Sequence, residues 1–134
     1  MTMTNDAPPL PLASRTSRLL AQILDDLAAF AIACVFLPVA LLLYRPLLMF
    51  LGIIGAALYV LLSDGFERGQ SWGKKVLHIA TVDAQTGAPC SYGQSALRNF
   101  LLMILGVIDW VFIFGQRRQR LGDMAANTIV VDVE

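Results

Sequence analysis

Long uncharged apolar runs alternate along this chain with compact polar stretches. The first run extends from Leu27 to Leu43 and the second from Leu47 to Ser63, with only Tyr44-Arg45-Pro46 between them. Extended back to Leu19, the first becomes a helix that takes in Asp25 and Asp26. A hydrocarbon core of roughly 30 Å needs about 20 helical residues, so each run is able to span it. The connection is too short for anything but a tight turn, and Pro46 suits the first position of a helix. The pattern therefore predicts an antiparallel pair of transmembrane helices, with Pro38 tolerated inside the first because lipid-embedded neighbours can satisfy the backbone it frees. Gly52 and Ala56, with Gly55 and Ala57 beside them, place small residues one turn apart. In lipid that spacing lets two helix backbones pack closely.

Asp64 to Ser95 is polar. Within it Val76 to Asp83 is rich in β-branched residues and ends in Gln85-Thr86-Gly87, a turn signal, with a return through Ala88 to Ser91. Thr128 to Val133 has the same character. A lone short strand is unstable, so the two are expected to pair as a small cytoplasmic β element. A third apolar segment, Phe100 to Phe114 within residues 96–115, contains Gly106, Asp109 and Trp110. From Phe100 to Asp109 is about 14 Å of helix, half a bilayer. That geometry favours a broken or re-entrant segment with both ends on one face. A plain third crossing is the alternative.

The cations set the expected orientation. Arg15 and Arg18 precede the first span, Arg68, Lys74, Lys75 and Arg98 follow the second, and Arg117, Arg118 and Arg120 follow the third segment. Cytoplasmic flanks carry the excess of Lys and Arg. All three groups lie inside only if the third segment does not cross. The fold class expected is an α-helical, multi-pass protein of the inner (cell) membrane with a cytoplasmic N-terminus. Residues 1–14, with Pro8, Pro9 and Pro11 and without the basic start of a secretory signal, are expected to be a disordered tail. Residues 15–133 then form one membrane domain.

Composition narrows the function. The chain is 57% hydrophobic, 15% charged and of zero net charge, with a mean hydropathy of +0.65. These values exclude an intrinsically disordered chain and a nucleic-acid binder working through bulk positive charge, and they argue against a soluble enzyme. Cys34 lies in an apolar run and Cys90 in a polar connection, so both are expected as free thiols. His78 is the only histidine. It is read as an exposed strand residue, with no metal site, cofactor or hydrolytic triad around it. Gly69-Gln70-Ser71-Trp72-Gly73-Lys74-Lys75 lacks the spacing and the Ser or Thr of a phosphate loop. Trp72 instead suits the headgroup level, with Lys74 and Lys75 on the aqueous side.

Polar groups at membrane depth are the candidates for function. Arg18 and Asp25 are nearly two helical turns apart and project from one face, about 10 Å apart along the axis. Each is expected to meet a partner on another segment, as an interhelical clamp or, for Asp25, as part of an ion or proton path. Asp26 is turned about 100° away from Asp25 and is less central. Asp109 is expected to pair with Arg98, Arg18 or a C-terminal arginine. Arg118 and Arg120 are read as a basic anchor on anionic lipid headgroups. Asp123 is placed to satisfy Arg120 or to cap the turn that follows.

Taken in order, four stretches resemble the RDD family of small membrane proteins, named for an arginine and two aspartates. They are Arg18 to Asp25, Ser71 to Ile79, Leu97-Arg98-Asn99, and Arg118 to Asp123 followed by Ala126 to Val131. Together they cover about residues 15 to 133. Trp72 stands where the family usually has proline, and Asn127 where glycine is common. The resemblance implies that Arg18, Asp25 and Asp123 are the signature residues. It implies no settled activity: some members have been proposed to exchange sodium for protons, and others look like accessory components of membrane assemblies. The expectation is an accessory, structural or assembly protein rather than an enzyme, as a homo-oligomer or with a membrane-protein partner. The alternative is an oligomeric exchanger working through Asp25, Asp26 and Asp109, with Arg98, Arg118 and Arg120 as supporting charges.

Overall fold

A computed structural model describes residues 11–116 and 118–133. Ser14 opens the first helix, its hydroxyl accepting from the Ser17 N–H at 3.0 Å. Helix α1 then runs unbroken from Arg15 to Leu42, with Pro38 inside it. Its 28 residues make about 42 Å at 1.5 Å per residue, the thickness of a bilayer with its headgroups. Tyr44 turns the chain with a positive φ, and α2 runs back from Pro46 to Leu62. A Cβ on Gly52 would come within 2.6 Å of Phe36 Cβ, so the expected small-residue contact is real. Both helices are long and apolar enough to be membrane spans.

A 3-10 turn at Ser63–Gly65 ends α2, and a second follows at Glu67–Gly69. Helix α3 is Trp72–Val76, capped by Ser71, and strand β1 is Ile79–Asp83. The expected strand therefore starts later than Val76: the Ser71 hydroxyl accepts from the Lys74 N–H and winds the preceding residues into a helix. His78 is exposed as expected, but in a turn of positive φ before the strand rather than within it. Asp83 Oδ1 accepts from the Gln85 and Thr86 N–H groups, each at 2.9 Å, to shape the turn. The return beside β1 is a single bridge, Val82 to Pro89.

Helix α4, Tyr92–Leu105, starts with a reciprocal cap between Ser91 and Gln94. Gly106 follows at φ 52°, ψ −121°, a conformation that side chains with a Cβ rarely adopt. It breaks the third apolar segment, and α5, Val107–Val111, leaves at 111° to α4. Helix α6, Leu121–Ala125, and strand β2, Thr128–Asp132, complete the chain.

Strands β1 and β2 pair antiparallel, Ile79 opposite Asp132 and Asp83 opposite Thr128. This pairing brings the two ends of the third segment to one small sheet. Residues 11–14 correct the expectation of a disordered tail through Ser14. Leu12 bridges Val131, the Ala13 N–H donates to Val130 O at 3.0 Å, and Ala13 packs with Ala21, Ile79 and Val130 in the apolar cluster. The outer edge of β2 offers backbone groups that need partners, and this segment supplies them. Residues 1–10 of the expected tail lie outside the described residues.

Polarity runs inside out. Large apolar side chains cover the exterior of α1, α2, α4 and α5, while Ser95, Arg98, Asn99 and Asp109 are buried. On α4, Leu97, Phe100, Met103 and Ile104 face outward as Ser95, Arg98 and Asn99 face inward.

Candidate functional site

Where the first part of α1 meets α3, α4 and α6, the interior is ionic. Eight charged side chains are buried among the described residues: Arg18, Lys74, Arg98 and Arg120 against Asp25, Asp64, Asp109 and Asp123. The four positive and four negative charges balance. They come from six places: Arg18 and Asp25 from α1, Asp64 from the turn after α2, Lys74 from α3, Arg98 from α4, Asp109 from α5, and Arg120 and Asp123 from the start of α6.

Asp123 is the hub. It pairs with Arg18, with Arg98 Nη2 at 2.6 Å and with Arg120 Nε at 3.7 Å. The Arg120 backbone N–H also donates to its Oδ2 at 3.1 Å. Burial alone pushes the Asp123 carboxyl up, but Arg98, Arg18 and Arg120 outweigh it and hold the group well below the usual carboxylate range. The expected capping role takes this form: Asp123 sits inside the first turn of α6 and reaches back to the residue before it.

Arg98 carries the network onward. It donates to Thr81 Oγ1 at 2.6 Å and lies 3.3 Å from Asp64 Oδ2. Asp64 also pairs with Lys74 and accepts from Asn99 Nδ2 at 3.1 Å. Burial lowers the Lys74 ammonium from its ordinary range to about 8, with Asp64 opposing the shift. At the far side Asp109 lies 3.6 Å from Arg120 Nε and accepts from the Gly122 N–H at 2.7 Å. Arg120 stacks over Trp110, 5.3 Å from the ring centroid, and donates to Gln22 at 3.2 Å. A Cβ on Gly122 would collide with the Arg98 carbonyl oxygen, so glycine lets α6 press onto α4.

Asp25 is held differently. The Ser71 hydroxyl, the Gly73 N–H at 2.9 Å and the Tyr59 hydroxyl at 2.9 Å all donate to it. No cation lies within pairing distance of it among the described residues. Arg18 and Asp25 thus share a face of α1 yet have separate partners, as their spacing predicts. Three hydrogen bonds do for Asp25 what guanidinium groups do for the other carboxylates.

The suggested set of Asp25, Asp26 and Asp109 is not brought together. Asp26 is exposed and accepts from Gln22 on its own helix at 2.9 Å, because it is turned away from the face that carries Arg18 and Asp25. Asp109 belongs to the Arg120 end of the network. A void of about 10 Å³ bordered by Gln22, Asp25, Asp64 and Asn99 has room for one water at most.

Two readings of the basic residues change. Trp72 and Lys75 are exposed, but Lys74 is buried on Asp64 rather than facing water, because the turn of α3 points it inward. Arg120 is buried among carboxylates, and Arg118 donates to the carbonyls of Leu12 and Ala13 at 3.4 and 3.3 Å. Arg120 is therefore committed inside the protein, whereas Arg118 is half-buried against the N-terminal segment. Arg117 lies outside the described residues. Asp64, with Thr81 and Asn99, is the part of the site that sequence reasoning missed. Its signal was its place as the first charge after the second apolar run.

Among the described residues no group of His, Cys, Asp and Glu is arranged to hold a metal ion, and Cys34 and Cys90 are free thiols. Searches of curated proteins and of solved structures each find no match. A family model described as the RDD family matches residues 12–127, a stretch that contains every buried charge of the network. With the apolar helices, that match points to a membrane protein: the chain belongs to the RDD family.

Proposed function

We propose that the protein is a multi-pass component of the inner membrane with its N-terminus in the cytoplasm, and that it acts as a structural or accessory element of a membrane assembly. The observation that carries this reading is the reversed polarity of the fold. A helix such as α4, with Arg98 and Asn99 inside and Phe100 and Ile104 outside, is stable only where lipid is the outer solvent. Its amphipathic geometry and the 111° bend suit a segment that enters the membrane and returns.

The ionic layer supports a structural task. Every buried cation has a carboxylate partner, and Arg120 holds two. Such a layer fixes one arrangement of α1, α3, α4 and α6. It leaves the lipid-facing surface for a second copy or a membrane-protein partner, and no cofactor, nucleic acid or enzymatic step enters the proposal. Exchange of sodium for protons finds less support, since Asp25, Asp26 and Asp109 are separated and the void beside Asp25 holds one water at most.

The test is flux. Protein reconstituted in liposomes is expected to carry no sodium- or pH-gradient-driven flux above empty vesicles. Flux that disappears in a folded Asp25→Asn variant overturns the structural reading.

A further inference from the structure

A groove of about 820 Å³ opens on the side of the molecule, between the first part of α1 and the bent α4–α5 segment. One face of α1 forms its floor, with Arg15, Leu19, Gln22 and Asp26 in succession. The opposite wall is apolar and includes Met103, Val107, Trp110 and Phe114. Val107 is 81% exposed. The volume is in the range of sites that enclose a small organic ligand, roughly 300–1,000 Å³.

The two ends differ in charge. At one end Arg15 donates to the carbonyls of Ile113 and Phe114, each at 3.3 Å, and its guanidinium carbon lies 5.4 Å from the Phe114 ring centroid. These contacts orient the guanidinium without neutralising it, and no carboxylate among the described residues pairs with it. Some of its N–H donors stay unused. At the other end stands Asp26, exposed. An anion is attracted to the Arg15 end and repelled from the Asp26 end, so the groove has a polarity. From Arg15 to Asp26 along α1 is about 16 Å, long enough for an acyl chain to lie along the helix face.

We infer that this groove is a binding site for a single anionic phospholipid, its phosphate on Arg15 and one acyl chain laid between α1 and α5. Arg15 is suited to the task because its planar fork matches phosphate oxygens. The site takes up a headgroup contact that Arg120, buried on carboxylates, is unable to make. It rests on the membrane reading above, and the two fail separately. A chain that stays soluble without amphiphile loses both, whereas a chain that inserts into nanodiscs without retaining lipid loses only the groove.

The experiment uses the full chain in nanodiscs of equal parts phosphatidylglycerol and phosphatidylcholine, with bound lipid counted by native mass spectrometry after release of the disc. One retained phosphatidylglycerol per chain is expected, in preference to phosphatidylcholine. Arg15→Gln should lower its retention about fivefold, as removal of one basic group near anionic lipid does, and Arg15→Lys should restore most of it. Val107→Trp, which fills the groove from an exposed position, should remove the retained lipid while the far-UV circular dichroism is unchanged. Retention of both lipids alike, a second copy of the chain covering the groove, or retention indifferent to Arg15→Gln and Val107→Trp overturns the site.

Discussion

From Leu27 onward, α1 meets α2 through uncharged groups: Phe36 lies over Gly52, and Ile32 Cγ2 is 3.5 Å from where a Gly55 Cβ would stand. Before that point the same helix meets its neighbours through Arg18, bound to Asp123, and Asp25, bound to Ser71 and Gly73. The two regions are held by different physics. In lipid there is no hydrophobic drive between apolar helices, so the α1–α2 contact depends on shape. In the ionic layer removing a shared charge such as Asp123 leaves buried partners uncompensated, at a cost of several kcal/mol. The apolar contact tolerates small adjustment, whereas the ionic one specifies which segments meet and penalises the loss of a shared charge.

The largest effect should come from the hub. Asp123→Ala leaves Arg18, Arg98 and Arg120 facing one another without their shared partner, and a loss of about 3–5 kcal/mol is expected. Thermal unfolding in detergent, followed by near-UV circular dichroism, should show the tertiary signal lost first while α1 and α2 keep their helical signal. At the edge of the layer, Lys74→Met should also be costly, since it leaves Asp64 with Arg98 and Asn99 alone. Combining it with Asp64→Leu should recover most of that loss, because an apolar pair replaces an ion pair at little net cost. Unfolding midpoints of the single and double variants check this.

On the apolar side the penalties should be smaller. Gly52→Val drives a side chain into Phe36 and is expected to cost about 1–3 kcal/mol, with the ionic layer intact. Smaller still is the response to acid. The Asp123 carboxyl is held below its ordinary value of 3.8. Between that ordinary value and its lower folded one, the unfolded chain binds more protons than the native one, so stability rises with pH across that window. The contribution of Asp123 should therefore be full at pH 5–7 and drain as the pH falls below the usual carboxylate range. A midpoint that drops already between pH 7 and 5 contradicts this assignment.

Much of the apolar half was legible in the sequence, because run length and small-residue spacing are local properties. So was the pairing of the two strand-like runs, and so was the break at Gly106. Arg18 and Asp25 could be assigned to one face and to distant partners, but which partners could not be read, since ion pairing depends on how non-adjacent segments fold together. The ionic half also hid Lys74. Helix α3 spans only Trp72–Val76, too short for a periodicity that would reveal its inward face. Asp64 looked like the start of a solvated loop, and only the packing of α4 on the end of α2 encloses it. Pro11 to Ala13 carry little strand signal of their own and are ordered by the edge of β2.

The central claim is that the ionic layer and the β1–β2 pair hold both ends of the segment between them on one side of the membrane. The direct measurement places single cysteines at Gln85→Cys, in the turn before α4, and Gln116→Cys, after α5, with Cys34 and Cys90 replaced. Each is labelled with an impermeant maleimide in sealed inside-out and right-side-out vesicles. Both positions should react from the cytoplasmic face alone. Labelling of the two from opposite faces contradicts the account.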